Sequence, residues 1–275
     1  MRRNLLLIIA IMVLAFVSCR EKVPPTKEHF NKANEFLFKD DLVNAKQEYE
    51  LAVKLDSNNW QACYELASVY ELEGDFKNSF YYFSKTIRIN PNYAMVYFNR
   101  ANLEEGVGDE VSSMKDLSQA ISLKKDFFSA ILARGRKEFT QGNFKEAITD
   151  FDEAIKLRSD FYIAYSMRGS SKFKLGDFAG AISDFDMEIQ LFPNHMMGYV
   201  NRGIANGENK DYRAAIKDLS LAIQVDPLWS QSYIYRGLYY AKNNNNDSAC
   251  GDFRMAVKLK NPQGESYSKQ YCGGK

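Results

Sequence analysis

The sequence predicts an all-α protein made of seven consecutive helix hairpins, and three observations carry that prediction. Written in rows of 34 residues from Thr26, the chain aligns through Gln263 with no insertion. Two positions in the row are small in every copy: Ala33, Ala67, Ala101, Gly135, Gly169, Gly203 and Gly237 at position 8, and Ala45, Ser79, Ser113, Ala147, Ala181, Ala215 and Ala249 at position 20. Position 24 is bulky throughout, as Tyr49, Phe83, Leu117, Phe151, Phe185, Leu219 and Phe253. Fixed small and large places at one period describe a single packing unit used seven times.

The amino terminus reads as an address. Arg2 and Arg3 precede an unbroken apolar run from Leu5 to Val17, which is too short to span a bilayer comfortably and fits a signal segment over residues 1–18. Ser18-Cys19 resembles the lipobox of bacterial lipoproteins, in which the cysteine thiol is acylated and the chain is cut just before it. Phe16 departs from that motif, which usually has leucine there. The resemblance implies lipidation at Cys19 and membrane anchoring in the bacterial cell envelope. Arg20 follows where an aspartate resembles an inner-membrane retention signal, so the outer membrane is favoured. An ordinary cleaved signal and an uncleaved anchor are the alternatives. Residues 19–25 end in Pro24-Pro25 and suit a stiff tether.

The rows follow as 26–59, 60–93, 94–127, 128–161, 162–195, 196–229 and 230–263. Positions 1 to 14 and 18 to 31 carry apolar residues at the helical spacing of three and four, and "GDF", "GNF", "GDF" and "KDY" interrupt them at positions 15 to 17. Proline at position 32 (Pro91, Pro193, Pro227) cannot continue a helix and opens the turn to the next row. In the tail, residues 264–275, Tyr267 and Tyr271 stand four apart, which suits a short capping helix over the last row; whether Cys272 then bonds Cys250 is left open by the sequence.

A 34-residue period with small residues at 8 and 20, an aromatic at 24 and proline at 32 resembles the tetratricopeptide repeat (TPR). The resemblance implies an α-solenoid, a right-handed superhelix whose inner groove is lined at positions 2, 5, 9, 12 and 13. The candidate groove contacts are then Phe30, Tyr64, Phe98, Leu132, Val200 and Ile234 at position 5, with Phe139 and Phe173 at position 12. Such residues either meet a ligand or pack against the next row. If they meet a ligand, Phe98, Phe139 and Phe173 should form one exposed strip. The implied partner is another protein or a peptide, and a glycan- or cell-wall-binding module is the alternative. The clamp with which co-chaperones hold an acidic carboxyl terminus is missing, since Phe30, Asn34, Glu65, Met95 and Asn99 occupy its places.

One column departs from the family, which has leucine at position 7. Here it reads Lys32, Leu66, Arg100, Arg134, Arg168, Arg202 and Arg236, and position 23 answers it with Glu48, Tyr82, Asp116, Asp150, Asp184, Asp218 and Asp252. Both positions lie eight residues from the turn at 15, so an antiparallel hairpin brings them to one level. Structural salt bridges are expected within each row that carries the charges, row 2 having lost both together, and a supplied carboxylate argues against a free anion-binding ladder.

Other functions find little support. The 36 basic and 35 acidic residues nearly cancel, which disfavours nucleic acid. Cys19, Cys63, Cys250 and Cys272 have no metal spacing, His29 and His195 stand far apart, and no metal or cofactor is expected. Neither a nucleophile elbow nor a phosphate loop occurs, so the reading is of a non-catalytic scaffold. Asn206-Gly207 is expected to loosen the sixth row. Glu188, at a position that is alanine in five other rows, either reaches past the helix edge to water or marks a contact.

Overall fold

The computed structural model describes residues 24–273, so the signal segment and Cys19 lie outside the described residues. Those residues are all-α, with fifteen helices and no strand among them. They divide into two compact units, one up to Asp116 and one from Leu117. The first holds α1 (Pro25–Phe38), α2 (Leu42–Leu55), α3 (Trp60–Leu72), α4 (Phe76–Ile89), α5 (Ala94–Gly106) and the start of α6 (Glu110–Leu123). The second holds the rest of α6, then α7 (Phe128–Thr140), α8 (Phe144–Leu157), α9 (Tyr162–Lys174), α10 (Phe178–Leu191), α11 (Met196–Glu208), α12 (Tyr212–Val225), α13 (Ser230–Lys242), α14 (Asn246–Lys258) and α15 (Pro262–Cys272). Within each unit, successive helices pack antiparallel, hairpin on hairpin.

Each hairpin turns the same way for the same reason. Position 15 adopts left-handed backbone in all seven rows: φ is 78°, 79°, 83° and 82° at Gly74, Gly108, Gly142 and Gly176, and 59°, 67° and 60° at Asp40, Lys210 and Asn244. Glycine takes that conformation without penalty, which explains its recurrence there. The following residue then caps the second helix. The side chains of Asp41, Asp75, Asp109, Asp177 and Asp211 accept hydrogen bonds from the amides of Asn44, Asn78, Ser112, Gly180 and Ala214 at 3.2, 3.1, 3.1, 2.9 and 3.0 Å.

The small residues at position 8 are small because the ring at 24 presses on them. A Cβ on Gly135, Gly169 or Gly237 would lie 2.9, 2.9 or 2.6 Å from the rings of Phe151, Phe185 and Phe253. Successive rows are tied at their far ends by tyrosine. The hydroxyls of Tyr97, Tyr165 and Tyr233 donate to the carbonyls of Pro91, Ser159 and Pro227 at 3.0, 3.3 and 3.1 Å.

The tail is a helix. In α15, Tyr267 stacks on Phe253 with centroids 5.4 Å apart, Tyr271 packs tilted against the same ring at 5.6 Å, and Gly264 lies against Val257. A disulfide joins Cys272 to Cys250 on α14, while Cys63 is a buried free thiol.

Candidate functional site

The arginines at position 7 build the polar spine of the hairpins. Arg100, Arg134, Arg168, Arg202 and Arg236 each donate from Nε and Nη2 to both oxygens of Asp116, Asp150, Asp184, Asp218 and Asp252, at 2.5 to 3.0 Å. All five aspartates are buried, so these are charge-assisted, bidentate bonds shielded from solvent. Row 2 replaces the pair with Leu66, which is fully buried, and Tyr82, which stacks on Tyr70. Row 1 corrects the expectation of a matched pair: Glu48 bonds His29 at 2.5 Å, and Lys32 turns along its own helix to Glu28 at 2.8 Å. His29 lies nearly one turn earlier on α1 and takes the bond to Glu48.

A second partner of the ladder lies one row back. Nη1 of Arg100, Arg168, Arg202 and Arg236 donates to Ser84, Asp152, Asp186 and Ser220 at 3.2, 2.6, 2.7 and 3.0 Å, and Arg134 approaches Ser118 to 3.5 Å. Each arginine therefore bonds sixteen residues forward and sixteen back, joining its own hairpin to the preceding one. The signal was present at position 25, which is polar in every row: Glu50, Ser84, Ser118, Asp152, Asp186, Ser220 and Arg254. Glu104, beside Arg100 and Asp116, is buried, and burial together with the Asp116 carboxylate pushes its pKa up to about 7.

A concave apolar cleft opens in the second unit. Its volume is about 190 Å³, and its walls are Phe139 of α7, Ser170, Phe173 and Lys174 of α9, Phe185 of α10, and Asn201 and Ile204 of α11. The residues from the first helices of their rows stand at positions 6, 9, 12 and 13. Phe139 and Phe173 are half-buried because each leans on the ring that starts the next helix, Phe144 at 5.5 Å and Phe178 at 5.3 Å. The buried Phe185 forms the floor. One ammonium, one amide and one hydroxyl line an otherwise apolar socket. That set can hold an apolar side chain and bond a neighbouring carbonyl or carboxylate, and it contains no nucleophile paired with a base.

Position 12 of the next row is Gly207, and the absence of a side chain there is filled from outside. A Cβ on Gly207 would fall 2.1 Å from the Tyr239 ring, which stacks on Tyr212 at 6.2 Å and whose hydroxyl reaches the Ile204 carbonyl and Glu208 at 3.3 Å. Asn206 donates to Asp218 at 3.0 Å. The Asn206-Gly207 pair is thus a packing device, where the sequence had suggested looseness.

Residues 132–195 and 61–93 match family models described as tetratricopeptide repeat. The protein carries tetratricopeptide repeats. Among solved structures, the C-terminal part of a TPR repeat-containing protein from Cytophaga hutchinsonii is 16% identical, covering 86% of this chain and 98% of its own, with a TM-score of 0.72. A TPR protein from Parabacteroides merdae is 17% identical over 90% of this chain and 99% of its own, with a TM-score of 0.60. YrrB, a TPR protein with an unusual peptide-binding site, is 20% identical over 68% of this chain and 97% of its own, with a TM-score of 0.61. At these identities the likeness establishes the fold, an all-α TPR array. No curated protein matches the chain by sequence.

Within the TPR frame, the candidate groove residues separate. Phe30, Tyr64, Phe98, Leu132, Phe139 and Phe173 are half-buried. Val200 and Ile234 are not groove contacts: each is 1% exposed and packs inside its own hairpin, against Leu219 and Ala222 or Phe253 and Ala256. Their short branched side chains fill the space between helices and do not emerge. Phe139 and Phe173 share the cleft of the second unit, and Phe98 belongs to the first unit. In the first unit Tyr64 instead accepts a hydrogen bond from Asn99 at 3.0 Å and packs on Tyr93.

Glu188 does not reach water. It is fully buried, bonded to Nδ1 of His195 at 2.7 Å, and seated against the bare Cα face of Gly198; burial pushes its pKa up, with the His195 bond pulling it back. No group of histidine, cysteine and acidic residues that could hold a metal occurs among the described residues.

Proposed function

We propose that this protein is a non-catalytic scaffold, held to the bacterial envelope through a lipid on Cys19, that binds a segment of a partner protein in its inner groove. A TPR-type helical repeat fits a protein-interaction scaffold, and repeats of this kind are generally non-catalytic. The observation that carries the reading is the cleft between Phe139, Phe173 and Ile204, an apolar socket with Ser170, Asn201 and Lys174 placed to bond a peptide backbone or acidic group. Export is supported by the Cys250–Cys272 disulfide, because such bonds persist in oxidising compartments. The apolar run ahead of Cys19 supports the same address, and Arg20 favours the outer membrane.

Two experiments test it. Cys19→Ser should move the protein from the membrane fraction to the soluble envelope fraction, and continued tight membrane association would sink the lipid anchor. Phe139→Ala with Phe173→Ala should reduce partner recovery from solubilised envelope membranes by about tenfold or more, while the melting temperature changes little because both rings are only half-buried. Retained recovery would place the partner elsewhere. Loss of binding to purified cell-wall polysaccharide, with protein partners unaffected, would favour the glycan-binding reading.

A further inference from the structure

The turn edge of the first three hairpins differs from that of the last four. On the segments 35–45, 69–79 and 103–113, six large apolar side chains project into water: Phe38, Val111 and Val107 are 93%, 83% and 75% exposed, and Leu72, Val43 and Phe76 are 66%, 59% and 55% exposed. The corresponding segments of the second unit, 137–147, 171–181, 205–215 and 239–249, have one such residue, Leu175 at 46%. None of the six is needed for the hairpin, since the left-handed residue and the capping aspartate already make the turn. Their exposure has no return within the fold.

Charge divides the same way. The three N-terminal turn segments carry ten carboxylates, of which Glu104 is buried, and two lysines, Lys39 and Lys77. The four C-terminal ones carry six carboxylates and seven cations. Asp41, Asp75 and Asp109 are fixed as anions, because the side-chain and backbone bonds from Asn44, Asn78 and Ser112 hold their pKa values below the usual range. The edge is apolar and acidic together.

We propose that this turn edge is a second docking surface, distinct from the groove, for a basic amphipathic segment of a partner protein: an apolar face covering Phe38, Leu72, Val107 and Val111, flanked by lysine or arginine. The acidic rim gives that segment an orientation and an accelerated encounter, and it disfavours an anionic lipid surface. The groove can fail as a binding site without affecting this inference.

The probe is a synthetic amphipathic helix of leucine and lysine, about eighteen residues or five turns long. Its controls are a scrambled peptide of the same composition with no apolar face and a leucine–glutamate counterpart. The purified full chain should bind the leucine–lysine peptide about tenfold or more tightly than either control, with affinity falling as salt rises. Amide protection should appear on segments 35–45, 69–79 and 103–113. Phe38→Ser with Val107→Ser, and separately Glu35→Lys with Asp40→Lys, should each weaken binding about tenfold at an unchanged melting temperature. Lysine is tolerated in the left-handed turn position that Asp40 occupies, as Lys210 shows at φ 67°. Equal binding of the scrambled peptide, protection centred on Phe139 and Phe173, attachment to neutral vesicles, or self-association abolished by Phe38→Ser with Val107→Ser would each overturn the proposal.

Discussion

Replacing Asp184 with alanine should destabilise the array by about 3–5 kcal/mol, among the largest effects of any single surface-preserving substitution. Asp184 is 3% exposed and holds two cations, Arg168 through both oxygens and Lys172 at 2.8 Å. Its removal leaves the Arg168 guanidinium half-buried, with only Asp152 as a counter-charge. Asp152 cannot substitute: it is 55% exposed, so its attraction is screened by water and its own loss in Asp152→Ala should cost about 0 to 1 kcal/mol. The two carboxylates on one arginine thus give an internal comparison of buried and exposed partners. Adding Arg168→Leu to Asp184→Ala should recover much of the loss, because the stranded charge goes with it and leucine restores apolar fill. Recovery should be incomplete, since Lys172 also loses its partner. Denaturant midpoints of both singles and the double are the measurement. Simple additivity would mean that the two side chains contribute independently, contrary to the geometry. Midpoints serve better than extrapolated free energies because a linear array need not unfold in one step.

That bridge was readable from two columns of the alignment because both partners lie in one row at a fixed separation. The same reasoning explains what was not readable. Ser84, Asp152, Asp186 and Ser220 belong to the row before their arginine, and which of its residues comes near depends on how one hairpin is staggered over the last. A single row does not encode that stagger. Gly207 is the clearest case: alone it reads as a weak point in a helix, and its meaning lies in Tyr239, one row on. Row 1 failed differently, because it offers His29 as a competing partner for Glu48. Of the groove residues, sequence supplied the columns but not the depth. Phe173 and Ile234 both occupy groove positions, yet the phenylalanine is long enough to reach the cleft and the isoleucine stays within its own hairpin.

Reducing the Cys250–Cys272 bond, or replacing Cys272 with serine, should release α15 from the end of the array. The two cysteines are 22 residues apart in sequence, and opening a loop of that size returns roughly 3 kcal/mol of entropy to the unlinked chain. Against this, α15 is held by Tyr267 and Tyr271 on Phe253, by buried Gly264, and by Asn261 donating to Ser230 at 3.1 Å. An eleven-residue helix with so few attachments is marginal by itself, so loss of the covalent tie should tip it towards detachment. Detachment would open Phe253, the bulky position-24 residue that in other rows is sheltered by the following hairpin. The effect should therefore stay local, with amides of α14 and α15 exchanging about a hundredfold faster while those of α9 to α12 keep their protection. Cys63 provides the internal control, since burial pushes its thiol pKa up and leaves it unreactive in the folded protein. Hydrogen exchange with and without dithiothreitol decides the matter: unchanged protection of α14 and α15 after reduction would show that aromatic stacking alone closes the end of the array.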